Sequence, residues 1–398
     1  MPTPFAPEDH LILLLARGQL PPRVQEQAIA LLSTPLNWDL ILERGTAQEV
    51  YPLFTRNLDT LGFPGVPAQV RARLHNLSKI NALRNTLLTE ELVRVLTLLG
   101  NAGISAIPLK GVALAESLYG DISSRVCGDI DILVPRQQVW QAFRLLLAEG
   151  FEGYEQKLQL ADLNLLLDSN IEYSFVSRRE GFTILHELHW DIAWRWQRNG
   201  MVTDDLWAEA QPKTYWGTEG YGLSPEGELL YLAVHASRHQ WQGLKWLVDI
   251  HEIYCSSRID WEKAREKAKR LGLEQVLLLT FSACHALLGT PILGNFSLAM
   301  LPPRLKLFPA YPSPADVWKD NLFPVRLFGR PFEKLSYLAR VAFLPTLADH
   351  RLIGLPYSLG FLYYLVRPLR LGCRLGSRLF RSFSLREGSD RYSSLQAP

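Results

Sequence analysis

The chain has 398 residues, of which 47% are hydrophobic and 21% charged, and its 42 Lys and Arg nearly balance its 40 Asp and Glu. This composition excludes an extensively disordered polymer and a uniformly basic nucleic-acid coat. At roughly 150 residues per domain, the length predicts two or three domains. Four widely spaced cysteines without a CxxC pair indicate free thiols in a reducing compartment. The first nine residues lack the basic start and long apolar core of a signal peptide, so we expect a cytoplasmic location.

Predicted elements change in type along the chain. The first hundred residues predict helices at His10 to Arg17, Arg23 to Ser33, Ala47 to Leu61 and Pro67 to Leu99. Strands are then predicted at Ile104 to Leu109, Asp129 to Val134, Ile171 to Val176 and Thr183 to Ile192, with helices at Val112 to Tyr119 and Gln137 to Ala148. After Trp194 we expect no further strands. Helices are predicted there at Pro225 to His239, Leu244 to Cys255, Trp261 to Leu271 and Glu274 to Leu288.

Two aspartates, Asp129 and Asp131, lie two residues apart on one predicted strand. Because alternate residues of a strand face the same side, the two carboxylates project together. Such carboxylates repel each other unless a cation lies between them, and a hard divalent ion such as Mg²⁺ is the common solution. The alternative is a strand end whose acids are solvated or paired with Arg125. The Asp-x-Asp pair alone leaves both interpretations open.

The surroundings of this pair favour a ligand. Lys110-Gly111 lies between a predicted strand and a predicted helix, where glycine permits close approach and the helix N-terminus offers free N–H groups to phosphate. On a later predicted strand, Glu187 and His189 share one face. Three carboxylates on adjacent strands beside a glycine turn would suit a two-metal phosphoryl-transfer site.

The order Lys110-Gly111, Arg125, Asp129-Ile-Asp131, Glu187-Leu-His189-Trp190 resembles the uncharacterised bacterial nucleotidyltransferases of the DNA polymerase β superfamily. The resemblance extends over about Asn81 to Leu293, roughly half of the chain. One departure is Val112, which follows Gly111 where the superfamily usually has serine or glycine. Another is the longer gap between Gly111 and Asp129.

Together with the predicted elements, the resemblance implies an α+β fold built on a small mixed sheet. Residues 81–195 would form the nucleotidyltransferase domain, with a helical N-terminal cap at 1–80. Residues 196–300 would form a helical domain, and 301–398 an irregular, basic C-terminal region.

The resemblance also implies transfer of a nucleoside monophosphate from an NTP such as ATP to an unknown acceptor, with Mg²⁺ or Mn²⁺ as cofactor. Asp129, Asp131 and Glu187 would hold the metal and carry the catalysis. The nucleotide would be bound by Lys110, Gly111, Arg125 and His189. The contrasting hypothesis is a non-catalytic binding or scaffold protein of the same fold, comparable to an antitoxin, which Val112 in place of serine favours.

A second cluster of candidate ligands lies at His235 and His239, four residues apart on a predicted helix. This spacing can bind zinc, but Ala236 stands where a metalloprotease helix would carry glutamate. The alternative interpretations are core packing and a place in the nucleotide pocket with Lys245 and Asp249.

The C-terminal region repeats arginine every three or four residues, at Arg367, Arg370, Arg374, Arg378 and Arg381. A basic amphipathic helix behind the apolar run Leu352 to Val366 suggests peripheral contact with an anionic membrane, at its inner face. The alternative is a docked helix whose arginines are solvated or paired with acids. Neither Leu352 to Val366 nor the uncharged Gln275 to Pro303 is continuous enough to predict a membrane span. The sequence gives no strong signal for nucleic-acid binding.

Overall fold

The computed structural model describes residues 5–154, 166–168, 170–179, 181–192, 202–256, 259–291, 331–355 and 357–373. The chain divides into two compact units. The first comprises residues 1–157, 171–193 and 198–327, and the second comprises 158–170, 194–197 and 328–398. The domain boundaries expected after residues 80 and 195 stay a prediction.

The N-terminal part of the first unit is helical, with α1 (Pro7–Leu15), α2 (Pro22–Leu32), α3 (Trp38–Ala47) and α4 (Tyr51–Thr60). The helix predicted from Ala47 to Leu61 corresponds to α4 and begins later than expected, at Tyr51. Helix α3 was not predicted; the Asn37 side chain accepts a hydrogen bond from the Leu40 amide and caps its N-terminus. The chain then turns at Glu49, whose φ of 56° is left-handed, before α4 starts with Pro52 in its first turn.

The long helix α5 (Ala68–Asn101) confirms the helix predicted from Pro67 to Leu99. It positions the loop that leads to the two aspartates. Asn81 and Asn85 are buried on α5, and both side-chain amides donate to the carbonyl of Arg125, at 3.1 and 2.7 Å. Buried amides with such partners are firmly oriented, so α5 fixes the backbone four residues before Asp129.

The sheet confirms the predicted α+β class with a small mixed sheet. Its strands are β1 (Ile107–Leu109), β2 (Ile130–Leu133), β3 (Glu152–Gly153), β4 (Glu172–Arg179) and β5 (Phe182–His189). Their order is β1-β2-β5-β4-β3, and only the β2–β5 pair is parallel. Helices α6 (Gly111–Tyr119) and α7 (Val139–Ala148) follow β1 and β2 along the chain.

The expectation that strands end at Trp194 was wrong. After α8 (Val202–Ala208) the chain forms an antiparallel hairpin of β6 (Gln211–Tyr215) and β7 (Thr218–Gly222). Its two turn residues, Trp216 and Gly217, have φ of 47° and 86°. Two left-handed residues at these positions match the twist of a tight hairpin. The sequence Trp216-Gly217 does not readily predict such a turn, because glycine is common at these positions and tryptophan is not.

The rest of the first unit is helical, with α9 (Pro225–Arg238), α10 (Leu244–Cys255), α11 (Trp261–Arg270) and α12 (Glu274–Leu288). These helices and the N-terminal helices share one hydrophobic core with the sheet. Leu58 of α4, Leu133 of β2 and Leu247 of α10 all belong to it. Its continuity makes the N-terminal helices, the sheet and α9–α12 a single packed body.

The second unit contains α13 (Pro331–Phe343), α14 (Leu347–Leu352) and helical residues 363–373. Arg367 lies 3.5 Å from the buried Asp349 carboxylate, and Arg370 also pairs with it. Two of the five predicted surface arginines are therefore paired with an acid. Arg374, Arg378 and Arg381 lie outside the described residues, as do residues 301–330. Within the described residues, no helix combines the length and apolarity that a membrane span requires.

Candidate active site

The parallel pairing of β2 and β5 creates a cluster of acids and one imidazole. Asp131 lies opposite Glu187 in the register, and His189 follows two residues later on the same face. One oxygen of each carboxylate and one nitrogen of His189 all lie within 4.8 Å of one another. We call Asp131, Glu187 and His189 the acidic cluster. Two carboxylates and an imidazole form a donor set that fits a divalent metal.

Sequence reasoning placed Asp129 in this set and His189 with the nucleotide. The structure brings Asp131 and Glu187 together as expected, with His189 as the third member of the converging group. The His189 Nε2 lies 3.0 Å from Asp131 Oδ1 and 3.5 Å from Glu187 Oε2. Asp129 precedes β2 by one residue and approaches the group through Lys110, whose Nζ lies 3.6 Å from its Oδ2.

Charge within the acidic cluster is governed by His189, which is buried. Burial alone would lower the pKa of His189, but the Asp131, Glu187 and Glu172 carboxylates raise it to about 9. The imidazole therefore carries a positive charge at neutral pH. Among the described residues, Asp131 Oδ2 accepts no hydrogen bond although it is buried, and its close neighbour is the Lys110 ammonium. A buried carboxylate oxygen with spare capacity also fits a cation site.

The predicted Lys110-Gly111 turn joins β1 to α6 and approaches the aspartates. Both residues have left-handed φ, 42° for Lys110 and 59° for Gly111. Glycine adopts this conformation freely, whereas lysine is strained there. The Lys110 Nζ lies 3.0 Å from Asp131 Oδ2, so this lysine contacts both predicted metal-binding aspartates.

Arg125, which was predicted to neutralise a triphosphate, is buried and already paired. Its Nε donates to Asp249 at 2.9 Å, and the Tyr119 hydroxyl donates to the other Asp249 oxygen at 2.8 Å. Burial alone would lower the pKa of Arg125, but Asp249 raises it above its ordinary value. The charged guanidinium thereby connects the loop before β2 to helix α10.

A cavity of about 300 Å³ opens onto these groups. Five of the predicted site residues line it, namely Lys110, Arg125, Asp129, Glu187 and His189. Helices α9 and α10 supply a facing wall of His235, Arg238, His239, Lys245 and Trp246. The cavity is therefore built jointly by the sheet and the helices that follow it, within the first unit.

His235 and His239 pack against an aromatic ring. The His239 ring stacks on Trp246 with centroids 4.5 Å apart, and the His235 ring lies 5.1 Å from the same indole. Burial and the nearby cation Arg238 lower the pKa of His239 to about 4, so this imidazole is neutral at pH 7. Both histidines line the cavity through these packed rings.

Two acids of the cavity were missed by sequence reasoning. Glu172 lies opposite His189 in the β4–β5 register, with Oε2 3.1 Å from His189 Nδ1. Glu172 could have been identified from the sequence, because it lies on a predicted strand whose alternate residues share one face. Glu49 lies on the loop after α3 and pairs with Lys245. No local pattern connects residues that are nearly two hundred positions apart.

A family model described as an uncharacterised nucleotidyltransferase matches residues 34–289, more than half of the chain. The chain belongs to this nucleotidyltransferase family. All the predicted site residues lie within the matched range. The family membership suggests transferase activity and a nucleotide substrate.

Comparison with solved structures identifies an antigenic nucleotidyltransferase-like protein from Paracoccidioides brasiliensis. It is 16% identical, and the match covers 52% of this chain and 93% of that chain with a TM-score of 0.30. No curated protein matches the chain.

Proposed function

We propose that this protein is a metal-dependent nucleotidyltransferase that moves a nucleoside monophosphate from an NTP to an acceptor and releases pyrophosphate. The observation that carries the proposal is the convergence of Asp131, Glu187 and His189 within 4.8 Å of one another. The adjoining cavity and Lys-Gly turn support it.

In the proposed arrangement, Asp131, Glu187 and His189 hold Mg²⁺ or Mn²⁺, and Asp129 completes the set. When bound, the metal would neutralise charge on the triphosphate and orient it for in-line displacement. We place His189 with the ligands because its Nε2 points at both carboxylates. A ligating imidazole must be neutral, so metal binding would release the proton that His189 carries.

The chain's own residues would perform the remaining steps. The left-handed Gly111 lets phosphate oxygens approach the first N–H groups of α6, which are free to donate. Lys110, Arg238 and Lys245 would offset phosphate charge from opposite walls of the cavity. Glu187 would accept the proton of the acceptor hydroxyl as its oxygen attacks the α-phosphorus and the bond to pyrophosphate breaks.

The test is incubation of the full chain with each α-labelled NTP, Mg²⁺ or Mn²⁺, and a cell extract as the source of acceptor. We expect label to transfer to an extract component with one or more NTPs, and to be lost in the double variant Asp129→Ala plus Asp131→Ala. A matched control removes two exposed acids of the N-terminal helices, Asp39→Ala plus Asp59→Ala. Transfer that survives in the first double variant contradicts the site assignment.

One observation favours the second candidate, a non-catalytic protein of this family that binds a partner. Lys110 and the protonated His189 already offset the carboxylates of the acidic cluster. These positive charges would reduce the need of the cluster for a metal ion. This candidate predicts no calorimetric binding of NTP with Mg²⁺ or Mn²⁺, whereas the nucleotidyltransferase predicts binding that depends on Asp131.

A further inference from the structure

Lys110 occupies an unusual place for a lysine. Its Nζ lies 3.0 Å from Asp131 Oδ2 and 3.6 Å from Asp129 Oδ2, so one ammonium contacts both carboxylates. The Lys110 side chain is 10% exposed, and the Asp131 side chain is fully buried. A buried carboxylate needs positive charge beside it, and Lys110 supplies it at Oδ2, while His189 lies 3.0 Å from Oδ1.

The backbone holds the ammonium in this place. Strands β1 and β2 are antiparallel with Leu109 opposite Asp131, so the residue after β1 must lie beside the two aspartates. Lys110 is strained at φ 42°, and the next residue is also left-handed. Strain of this kind persists where surrounding structure enforces it, often at functional sites. The Lys-Gly turn therefore fixes a cation on the aspartates.

We propose that Lys110 is an internal counter-ion that competes with the metal for Asp131 and moves to the triphosphate when the metal binds. The inference rests on the proposed function and states how carboxylate charge at the same site is offset before its substrates arrive. The Lys110 side chain can move into the cavity, because it lines the same cavity as Arg238 and Lys245. The displaced ammonium would then meet the negative charge that arrives with the metal.

The first test measures Mn²⁺ affinity without nucleotide, by the electron paramagnetic resonance signal of free Mn²⁺. Removing a competing positive charge at contact distance should tighten Mn²⁺ binding about tenfold in Lys110→Met. Lys110→Arg keeps the charge and should bind like the wild type. The matched control Lys245→Met removes a lysine from the same cavity that pairs with Glu49 instead, and it should tighten binding much less.

A second measurement uses the wild-type chain and needs no variant to fold. Acetic anhydride modifies accessible lysines, and mass spectrometry reports each site. Labelling of Lys110 should rise when Mn²⁺ is added alone and fall again when Mn²⁺ and an NTP are both present. Labelling of Lys245 should not rise with Mn²⁺ alone.

The outcomes separate this inference from the proposed function. Equal or weaker Mn²⁺ binding in Lys110→Met, or Lys110 labelling that ignores Mn²⁺, overturns the counter-ion role even if the wild type transfers nucleotide. Tighter binding and Mn²⁺-dependent labelling support the counter-ion role even if no transfer is found. Absence of Mn²⁺ binding in every variant overturns both.

Discussion

Strand β5 carries two histidines on opposite faces, and their surroundings differ. On the cavity face, His189 lies in the acidic cluster. On the other face, His186 lies 2.9 Å from the Ser177 hydroxyl, which donates to Glu91 at 2.7 Å. We call Glu91, Ser177 and His186 the Glu91 cluster. Its side chains are all buried, with residue exposures of 2, 6 and 4%.

The two clusters use the same chemical groups with different charge balance. Glu91 is a single carboxylate that receives two hydrogen bonds from Arg94, at 2.8 and 2.7 Å, with Arg179 3.5 Å away. Burial alone would raise the pKa of Glu91, but hydrogen bonds from Arg94, His186 and Ser177 lower it well below its usual range. This carboxylate is fully satisfied by protein groups, so the Glu91 cluster stabilises the fold.

The acidic cluster and two neighbouring acids, Asp129 and Glu172, lie at a cavity. Their four carboxylates outnumber the three cations that pair with them among the described residues, which are Lys110, protonated His189 and Arg238. An excess of this kind costs folding free energy and is retained where a ligand uses it. The two histidines of one strand therefore have different roles. The carboxylates around them differ in charge balance and in access to the cavity.

The largest expected effect is a loss of nucleotidyl transfer on substitution of a residue on the cavity face. Glu187→Gln preserves shape but removes a metal-binding charge, and should reduce nucleotidyl transfer on the order of 10²–10³-fold. Its free energy of unfolding should change by less than about 1 kcal/mol, because Glu187 is partly exposed and belongs to the excess charge. Labelled-NTP transfer and urea unfolding measure the two quantities. Undiminished transfer would remove Glu187 from the site.

The matched substitution on the other face is Glu91→Gln. Loss of the buried charge leaves Arg94 without its anion and should lower the free energy of unfolding by about 3 kcal/mol. Transfer by the folded protein should stay near the wild-type rate. A variant with normal stability and lost transfer would reverse the assignment of the two clusters.

The site residues on the cavity face were largely predictable from the sequence, because they follow the local spacing of residues along a strand. Asp129 and Asp131 share a strand face by period two, and so do Glu187 and His189. The metal-binding hypothesis needed only that these two strands be neighbours, which the parallel β2–β5 pairing provides. The contact of Lys110 with the aspartates could not be foreseen, because it depends on the antiparallel β1–β2 register.

The Glu91 cluster was not predictable in the same way. Glu91 lies on α5, 86 residues before Ser177, and is one of two adjacent acids on that helix, Glu90 and Glu91. Periodicity identified α5 as amphipathic but could not select the polar side chain that would be buried against the sheet. The Arg125–Asp249 pair, 124 residues apart, was missed for the same reason. Long-range pairs need the packing of helices on the sheet, which no local pattern specifies.

The comparison also predicts how stability depends on pH. A carboxylate whose pKa is lowered in the folded state contributes stability that is present above its unfolded pKa and is lost as pH falls below it. The advantage of wild type over Glu91→Gln should therefore be complete above about pH 5 and shrink by up to about 1.4 kcal/mol per pH unit below pH 4. Urea unfolding from pH 7 to pH 3 measures this. A difference that stays constant contradicts the low pKa of Glu91.

The smallest expected effect compares two serines of β4. Ser177 lies in the Glu91 cluster, whereas Ser174 lies opposite Glu187 in the register, on the cavity face. Ser177→Ala removes one buried hydrogen bond to Glu91 and should lower the free energy of unfolding by about 1 kcal/mol. Ser174→Ala should change it by less than about 0.5 kcal/mol, since it removes no member of the buried cluster. Equal losses would mean that stability is shared between the two faces, because a hydroxyl on the open side would then matter as much as one inside the closed network.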